Sequence, residues 1–176
     1  KVRAAAVTAL CDASVDALGA VTLGVFVQVG ERLRDKKVAV RLAAVRGLAA
    51  VYHAAVAGWG LPRTWPSSSA RGSNGLELAV RVGWVPAKML GAYYLGDSTA
   101  DVRAAVLKAL ADDLLPSLKT LAVGGTAGDE AAETYVSAAV DLMAGLGEKE
   151  RKVFDKMLAD ATQFRADLAR LVEQTR

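Results

Sequence analysis

The side chains that most often carry out catalysis are scarce in this sequence. His53 is the only histidine and Cys11 the only cysteine, so neither a histidine metal cluster nor a histidine-based triad can be assembled from the chain. Asp112 and Asp113 are neighbours near a predicted helix end and point to different sides, which suits paired acid and base chemistry poorly. No glycine pair has the spacing of a phosphate-binding loop. The sequence therefore predicts a binding function, with no catalysis, no metal and no cofactor.

One candidate binding surface is a run of basic residues between positions 31 and 46. Its members, called the basic ridge below, are Arg32, Arg34, Lys36 and Lys37. Such a surface could meet an acidic peptide, a phosphate or nucleic acid, and an inositol polyphosphate is one conceivable ligand. A solvated helix surface has the same composition, and we favour that interpretation.

A second candidate surface combines aromatic and basic side chains. Its members, called the aromatic strip below, are Tyr52, Trp84, Lys88, Tyr93 and Tyr94. Trp84 and Lys88 are four residues apart and so share one face of a helix. Aromatic and cationic groups carry most of the binding energy in protein interfaces. The alternative is that the rings fill the core, but Tyr93 and Tyr94 are adjacent and cannot both point inward.

The elements that position these residues are predicted from an internal repeat. Three segments align without gaps, and they start 38 and 62 residues apart: Val2 to Leu10, Val40 to Leu48 and Val102 to Leu110. The first spacing is typical of two-helix solenoid repeats. The second exceeds it by 24 residues, and a stretch rich in Gly, Pro and Ser at 57–75 accounts for the excess as a flexible insertion loop.

A pair of charged residues recurs with the repeat. Asp35 lies six residues before Arg41, and Asp97 lies six residues before Arg103. This pattern resembles HEAT repeats, in which an Asp in the turn between paired helices meets an Arg of its own or the next repeat to form a structural ladder. A carboxylate near a helix N-terminus accepts free backbone amides, and a guanidinium group holds it with two hydrogen bonds.

The fold class predicted from the 3.6-residue spacing of apolar residues is all-α, a HEAT-repeat α-solenoid of stacked antiparallel helix hairpins. Residues 1–56 and 76–176 are assigned to HEAT-type helices of one solenoid. The predicted helices are Lys1 to Ala13, Leu18 to Arg34, Val38 to Ala55, Val85 to Leu95, Thr99 to Leu114, Asp129 to Gly145 and Glu148 to Glu173.

The composition fits a folded helical chain. Apolar residues make up 53% and aromatic residues only 6%, and the abundant Ala suits closely packed helices better than a β-sandwich. The net charge of +3 does not argue for binding to nucleic acid. We expect no membrane span. Because the sequence opens inside a helical pattern without an initiator Met, we also expect a segment of a longer protein.

Three blocks resemble one family closely. They are Glu31 to Tyr52 (ERLRDKKVAVRLAAVRGLAAVY), Gly83 to Tyr94 (GWVPAKMLGAYY) and Leu114 to Pro116 (LLP). In this order they are similar to blocks of the cohesin-associated family called precocious dissociation of sisters, protein five. From Ser117 onward the similarity is in helical character only.

The resemblance implies a non-enzymatic scaffold in the nucleus. Members of that family dock on the kleisin subunit of cohesin, engage other cohesin regulators, and set how long cohesin stays on chromatin. We therefore expect kleisin contact through the aromatic strip, chromatin association through cohesin, no membrane partner and no direct sequence-specific nucleic acid binding. The alternative from another class is a HEAT or armadillo scaffold of transport or vesicle coating, such as an importin-like carrier.

Overall fold

The computed structural model describes residues 1–17, 19–58, 82–115, 126–157 and 159. Within these ranges the regular elements are all helices, and no strand occurs. They are α1 (Val2–Asp16), α2 (Leu23–Glu31), α3 (Val38–His53), α4 (Val85–Tyr93), α5 (Ala100–Ala109), α6 (Thr126–Ala144) and α7 (148–157). The predicted all-α fold is confirmed.

The helices form stacked hairpins. Helix α2 leads through a 3₁₀ turn, Arg32–Arg34, and Asp35 into α3, and α4 leads through the turn at Asp97 into α5. Helix α3 packs against α1 on one side and against α5 on the other, so the second helices of successive hairpins form one layer. Helix α4 contacts the 3₁₀ turn that follows α2, so the first helices form the other layer. This two-layer stack is a HEAT-type α-solenoid.

Several helix ends differ from the predicted ones. Helix α1 continues to Asp16, and Ala17 then leaves the helical region with φ −148° and ψ 104°. Helix α2 begins only at Leu23, because the amide of Ala20 donates to the carbonyl of Ala17 (2.8 Å) in a turn that replaces the predicted first turn of the helix. Helix α4 ends at Tyr93 and not at Leu95.

Two helices end in wider, π-helical turns that apolar periodicity does not indicate. Ala54–Gly58 extends α3 and Leu110–Leu114 extends α5. The predicted insertion loop, apart from its first two residues, and the predicted end of the last helix lie outside the described residues.

Helix α3 is the centre of the core. The side chains of Ala44, Val45, Leu48 and Ala49 have 0% exposure. By length and composition alone, Val38–Val56 would qualify as a membrane span, with mean hydropathy 1.3, in contrast to the prediction that no segment would. Half of that window is buried inside the protein, and burial between α1 and α5 accounts for its apolar character.

Two glycines allow neighbouring elements to approach closely. A Cβ atom at Gly30 would lie 2.6 Å from Cζ3 and 2.7 Å from Cη2 of Trp84, and one at Gly47 would lie 2.5 Å from Sγ of Cys11. The Trp84 ring also packs against Phe26, with ring centroids 5.4 Å apart. The indole ring of Trp84 therefore packs directly on the backbone of Gly30, where α2 and α4 meet.

We predict that Gly30→Ala lowers the free energy of unfolding by about 1–3 kcal/mol, because the new methyl group overlaps a rigid ring. Gly24→Ala is the matched control in the same helix, since a Cβ there meets nothing within 4 Å. It should raise stability by about 0.5–1 kcal/mol through the reduced freedom of the unfolded chain. Urea unfolding of the two variants measures both changes, and equal effects would contradict this account of the packing.

Candidate partner-binding site

Ion pairs join each repeat to the next. Nη1 of Arg3 lies 2.9 Å from Oδ2 of Asp35, and Nη1 of Arg41 lies 2.9 Å from Oδ2 of Asp97. In both pairs the Arg belongs to the second helix of one hairpin and the Asp to the turn of the following hairpin. Each Asp therefore meets the Arg of the preceding repeat, and not, as predicted from the sequence, the Arg of its own or the next repeat. The cause is geometric, because an Arg in the first turn of a second helix lies beside the neighbouring turn.

The two pairs have opposite patterns of burial. The side chain of Asp35 is 2% exposed, and its Oδ1 also accepts a hydrogen bond from the backbone amide of Lys37 (2.9 Å). In the second pair the cation is the buried partner, with Arg41 at 4% and Asp97 at 72% exposure. Arg103 instead donates from Nε and Nη2 to the carbonyl oxygen of Ser98, at 3.3 and 2.9 Å.

The members of the aromatic strip have different environments. Tyr52 is 1% exposed, so its ring belongs to the core and not to a surface, because α3 is packed on both sides. Trp84 is half-buried, and its ring packs against Phe26 of α2. Tyr93 and Tyr94 meet edge to face with centroids 4.8 Å apart, and Tyr94 is 39% exposed. The surface part of the strip thus consists of Trp84, Lys88, Tyr93 and Tyr94.

Lys88 connects the strip to the preceding hairpin. Its Nζ lies 2.7 Å from Oε1 of Glu31, and both side chains are partly exposed. The hydrogen bond and the charge of Lys88 hold the pKa of the Glu31 carboxyl below its ordinary value. Because the pair is accessible to water, Lys88 can exchange Glu31 for another carboxylate at little cost.

A cavity of about 260 Å³ lies beside this ion pair. It brings together Arg34 of the basic ridge, Trp84 and Lys88 of the strip, and Glu150 of α7. Helix α7 also places Nζ of Lys156 5.3 Å from the centre of the Tyr94 ring, within cation–π distance. Sequence reasoning missed Glu150 and Lys156, since no local pattern links α7 to a helix some sixty residues earlier.

The basic ridge is divided between two roles. Arg32 is half-buried, lies 3.8 Å from Asp35 and donates from Nε to the carbonyl of Gln28 (3.3 Å), so it supports the turn. Arg34, Lys36 and Lys37 are exposed. Only Arg34 lines the cavity beside Trp84.

Of the residues singled out for chemistry, His53 and Asp113 come close together, and Cys11 packs elsewhere, against Gly47. Among the described residues, no group of three or more His, Cys, Asp and Glu side chains is arranged to hold a metal ion. Nδ1 of His53 lies 3.3 Å from the backbone oxygen of Asp113. Cys11 is buried against Gly47, and burial raises the pKa of its thiol to about 12.

The stacked hairpins and the Arg–Asp pairs between them define the class of protein, a HEAT-type helical scaffold. The family model described as sister chromatid cohesion protein PDS5 protein matches residues 1–176, so the chain belongs to that family, as its sequence blocks indicated. The family acts in sister chromatid cohesion and is associated with the cohesin complex. Comparisons with curated proteins and with solved structures gave no significant match.

We predict that Asp35→Ala lowers the free energy of unfolding by about 2–3 kcal/mol, because it removes both the pair with Arg3 and the acceptor for the Lys37 amide. Asp12→Ala is the control, since Asp12 is exposed and its change should stay within about 0.5 kcal/mol. Thermal and urea unfolding measure both. A loss at Asp35 no larger than that at Asp12 would contradict a structural role for the ladder.

Cys11 should report on opening of the core. Its raised pKa, about 12 against the ordinary 9.0, leaves roughly a thousandfold less thiolate near neutral pH. We expect iodoacetamide at pH 8 to leave the folded protein unmodified while it alkylates the urea-unfolded chain readily, as followed by mass spectrometry. Equal rates in the two states would show that α1 does not stay packed on α3.

Proposed function

We propose that this protein is a non-enzymatic scaffold that binds the kleisin subunit of cohesin and thereby regulates sister chromatid cohesion. The observation that carries the proposal is the match of the PDS5 family over residues 1–176. A solenoid supports such a role physically, because its repeats contact only their neighbours and present long surfaces to extended peptides.

The kleisin segment binds, in this proposal, at the surface part of the aromatic strip. Trp84 supplies a rigid apolar anchor that costs little conformational entropy, since Phe26 and Gly30 already hold its ring. Lys88 and Arg34 supply two cations beside it. A segment with an apolar residue next to an acidic one would place the first on Trp84 and the second on Lys88.

Binding at this surface exchanges existing contacts. Lys88 releases Glu31 and takes a carboxylate of the partner, so one partly exposed ion pair replaces another. Nε1 of Trp84 is buried and has no hydrogen-bond partner among the described residues, so the bound segment contacts the exposed part of the ring and not this nitrogen. The replacement of one ion pair by the other determines the specificity of binding, and burial of apolar area around Trp84 supplies most of the affinity.

The cellular setting follows from the same proposal. The protein is nuclear, reaches chromatin through cohesin and shares it with other cohesin regulators. Direct sequence-specific binding to nucleic acid is no part of this role. The net charge of +3 is small for such an activity.

We expect a synthetic kleisin segment to bind the chain, and Lys88→Glu to weaken that binding at least tenfold by turning an attraction into a repulsion. Lys152→Glu is the matched control, because it breaks another ion pair of 2.7 Å, with Glu148, on the exposed face of α7. Both variants should melt as the unaltered protein does. Fluorescence anisotropy and thermal unfolding provide the two readouts.

Two outcomes would contradict the proposal. Equal affinities of the Lys88 and Lys152 variants for the kleisin segment would show that the aromatic strip is not the contact surface. Binding of a basic transport signal in place of the kleisin segment would favour the carrier type of HEAT scaffold.

A further inference from the structure

The second helices form a groove that takes no part in the proposed kleisin contact. It lies between α3 and α5, has a volume of about 550 Å³, and is lined by Leu42, Arg46, Asp101, Ala104, Lys108 and Asp113. A neighbouring groove of about 520 Å³ between α1 and α3 shares Leu42 and Arg46 with it. The kleisin surface, by contrast, is built on α4, the turn after α2, and α7.

Charges alternate along the α3–α5 groove. Asp101 and Asp113 are twelve residues apart on α5 and its π-helical extension, which is roughly 18 Å at about 1.5 Å per residue. Lys108 lies seven residues after Asp101, or about 10 Å along the same axis, and Arg46 faces the groove from α3. The order along the groove is therefore acidic, basic, acidic.

Most of these charged side chains are exposed to solvent. Arg46 is exposed and makes no ion pair or hydrogen bond with any residue that the structure describes. Lys108 has a partner, Asp112, at 3.1 Å, but both side chains are well exposed. Burial raises the pKa of the Asp113 carboxyl; the charges of His53 and Lys108 oppose this effect, and the charge of Asp112 reinforces it. The Asp113 carboxylate forms no ion pair with any residue that the structure describes, and a cationic ligand would offset the cost of its partial burial.

The shape of the groove favours an extended ligand. Its floor is made of small side chains, Ala104, Ala105 and Ala109, together with Leu42. Packed helices are about 8–10 Å apart, whereas a helix with its side chains is about 10–12 Å across. A helical ligand would therefore lie on top of the groove, and an extended chain can enter it.

We propose that the α3–α5 groove binds an extended segment of a partner protein with the pattern basic, two residues, acidic, two residues, basic, in which both basic side chains face α5 and the acidic one faces α3. At about 3.3 Å per residue, the acidic side chain lies about 10 Å and the second basic side chain about 20 Å from the first, close to the separation of Asp101 and Asp113. The three side chains then meet Asp101, Arg46 and Asp113. This site is independent of the kleisin contact and lies on the other layer of the solenoid.

The test uses the full chain and a labelled synthetic peptide, Gly-Lys-Thr-Val-Glu-Thr-Val-Lys-Gly, followed by fluorescence anisotropy at low salt. We expect saturable binding with Kd below about 1 mM. Asp101→Lys should weaken binding about tenfold, because it replaces an attraction by a repulsion. A peptide in which the first Lys is replaced by Glu should recover the lost affinity on that variant.

The controls separate this groove from general electrostatics and from the kleisin site. Asp155→Lys makes the same charge change on the exposed face of α7 and should leave the affinity within about twofold. Lys88→Glu should leave it unchanged. The proposal is overturned by absence of saturable binding, by equal losses in the Asp101 and Asp155 variants, or by failure of the exchanged peptide to rescue.

Discussion

The pair between Arg41 and Asp97 is the constraint on which the arrangement of the repeats depends. A guanidinium group that is 4% exposed is costly to leave without a counter-ion, and here its counter-ion belongs to the next hairpin. The hairpin of α4 and α5 must therefore be placed so that its turn lies within reach of α3. Arg3 and Asp35 impose the same relation one repeat earlier, with the carboxylate as the buried member. Apolar packing holds the layers together, and these pairs determine how far one hairpin is displaced along its neighbour.

Close packing between the first helices adds a second fixed point. The indole of Trp84 stands on the backbone of Gly30 and against Phe26, so α4 cannot slide along α2 without losing that contact. The same ring borders the cavity with Lys88 and Arg34. A residue that holds two repeats together is thus also the most rigid part of the surface offered to a partner, which is useful because a preorganised anchor loses little freedom on binding.

Much of the fold could be predicted because its determinants are local. The repeated Val-Arg pattern and the Asp six residues before Arg41 and before Arg103 indicated hairpins of the correct type. The direction of the ion pairs could not be predicted, since it depends on how hairpins stack and not on the sequence within one. The prediction that Tyr52 lies on a surface was wrong for a related reason. Periodicity shows that α3 is apolar, but only the packing of α1 and α5 on its two sides shows how little of α3 is exposed to solvent.

The site was predictable in part. Trp84 and Lys88 share a helix face by spacing alone, and they do border one cavity. Glu150 and Lys156 come from a helix that is distant in sequence, and the sequence of neither helix indicates that they lie near Trp84 and Tyr94. Long-range neighbours of a surface are set by the curvature of the whole stack, which is a sum of many small displacements.

The wide last turn of α5 has a consequence for the chemistry of the layer of second helices. In a regular helix the residue four positions after Lys108 would come next along the same face, and that residue is Asp112, which pairs with Lys108. The π-helical geometry of Leu110–Leu114 fits about one more residue into the turn, and Asp113 lines the groove with Lys108. The extra residue in this turn therefore gives the two adjacent carboxylates different roles. The first forms an ion pair with a lysine, and the second remains available to a ligand in the groove.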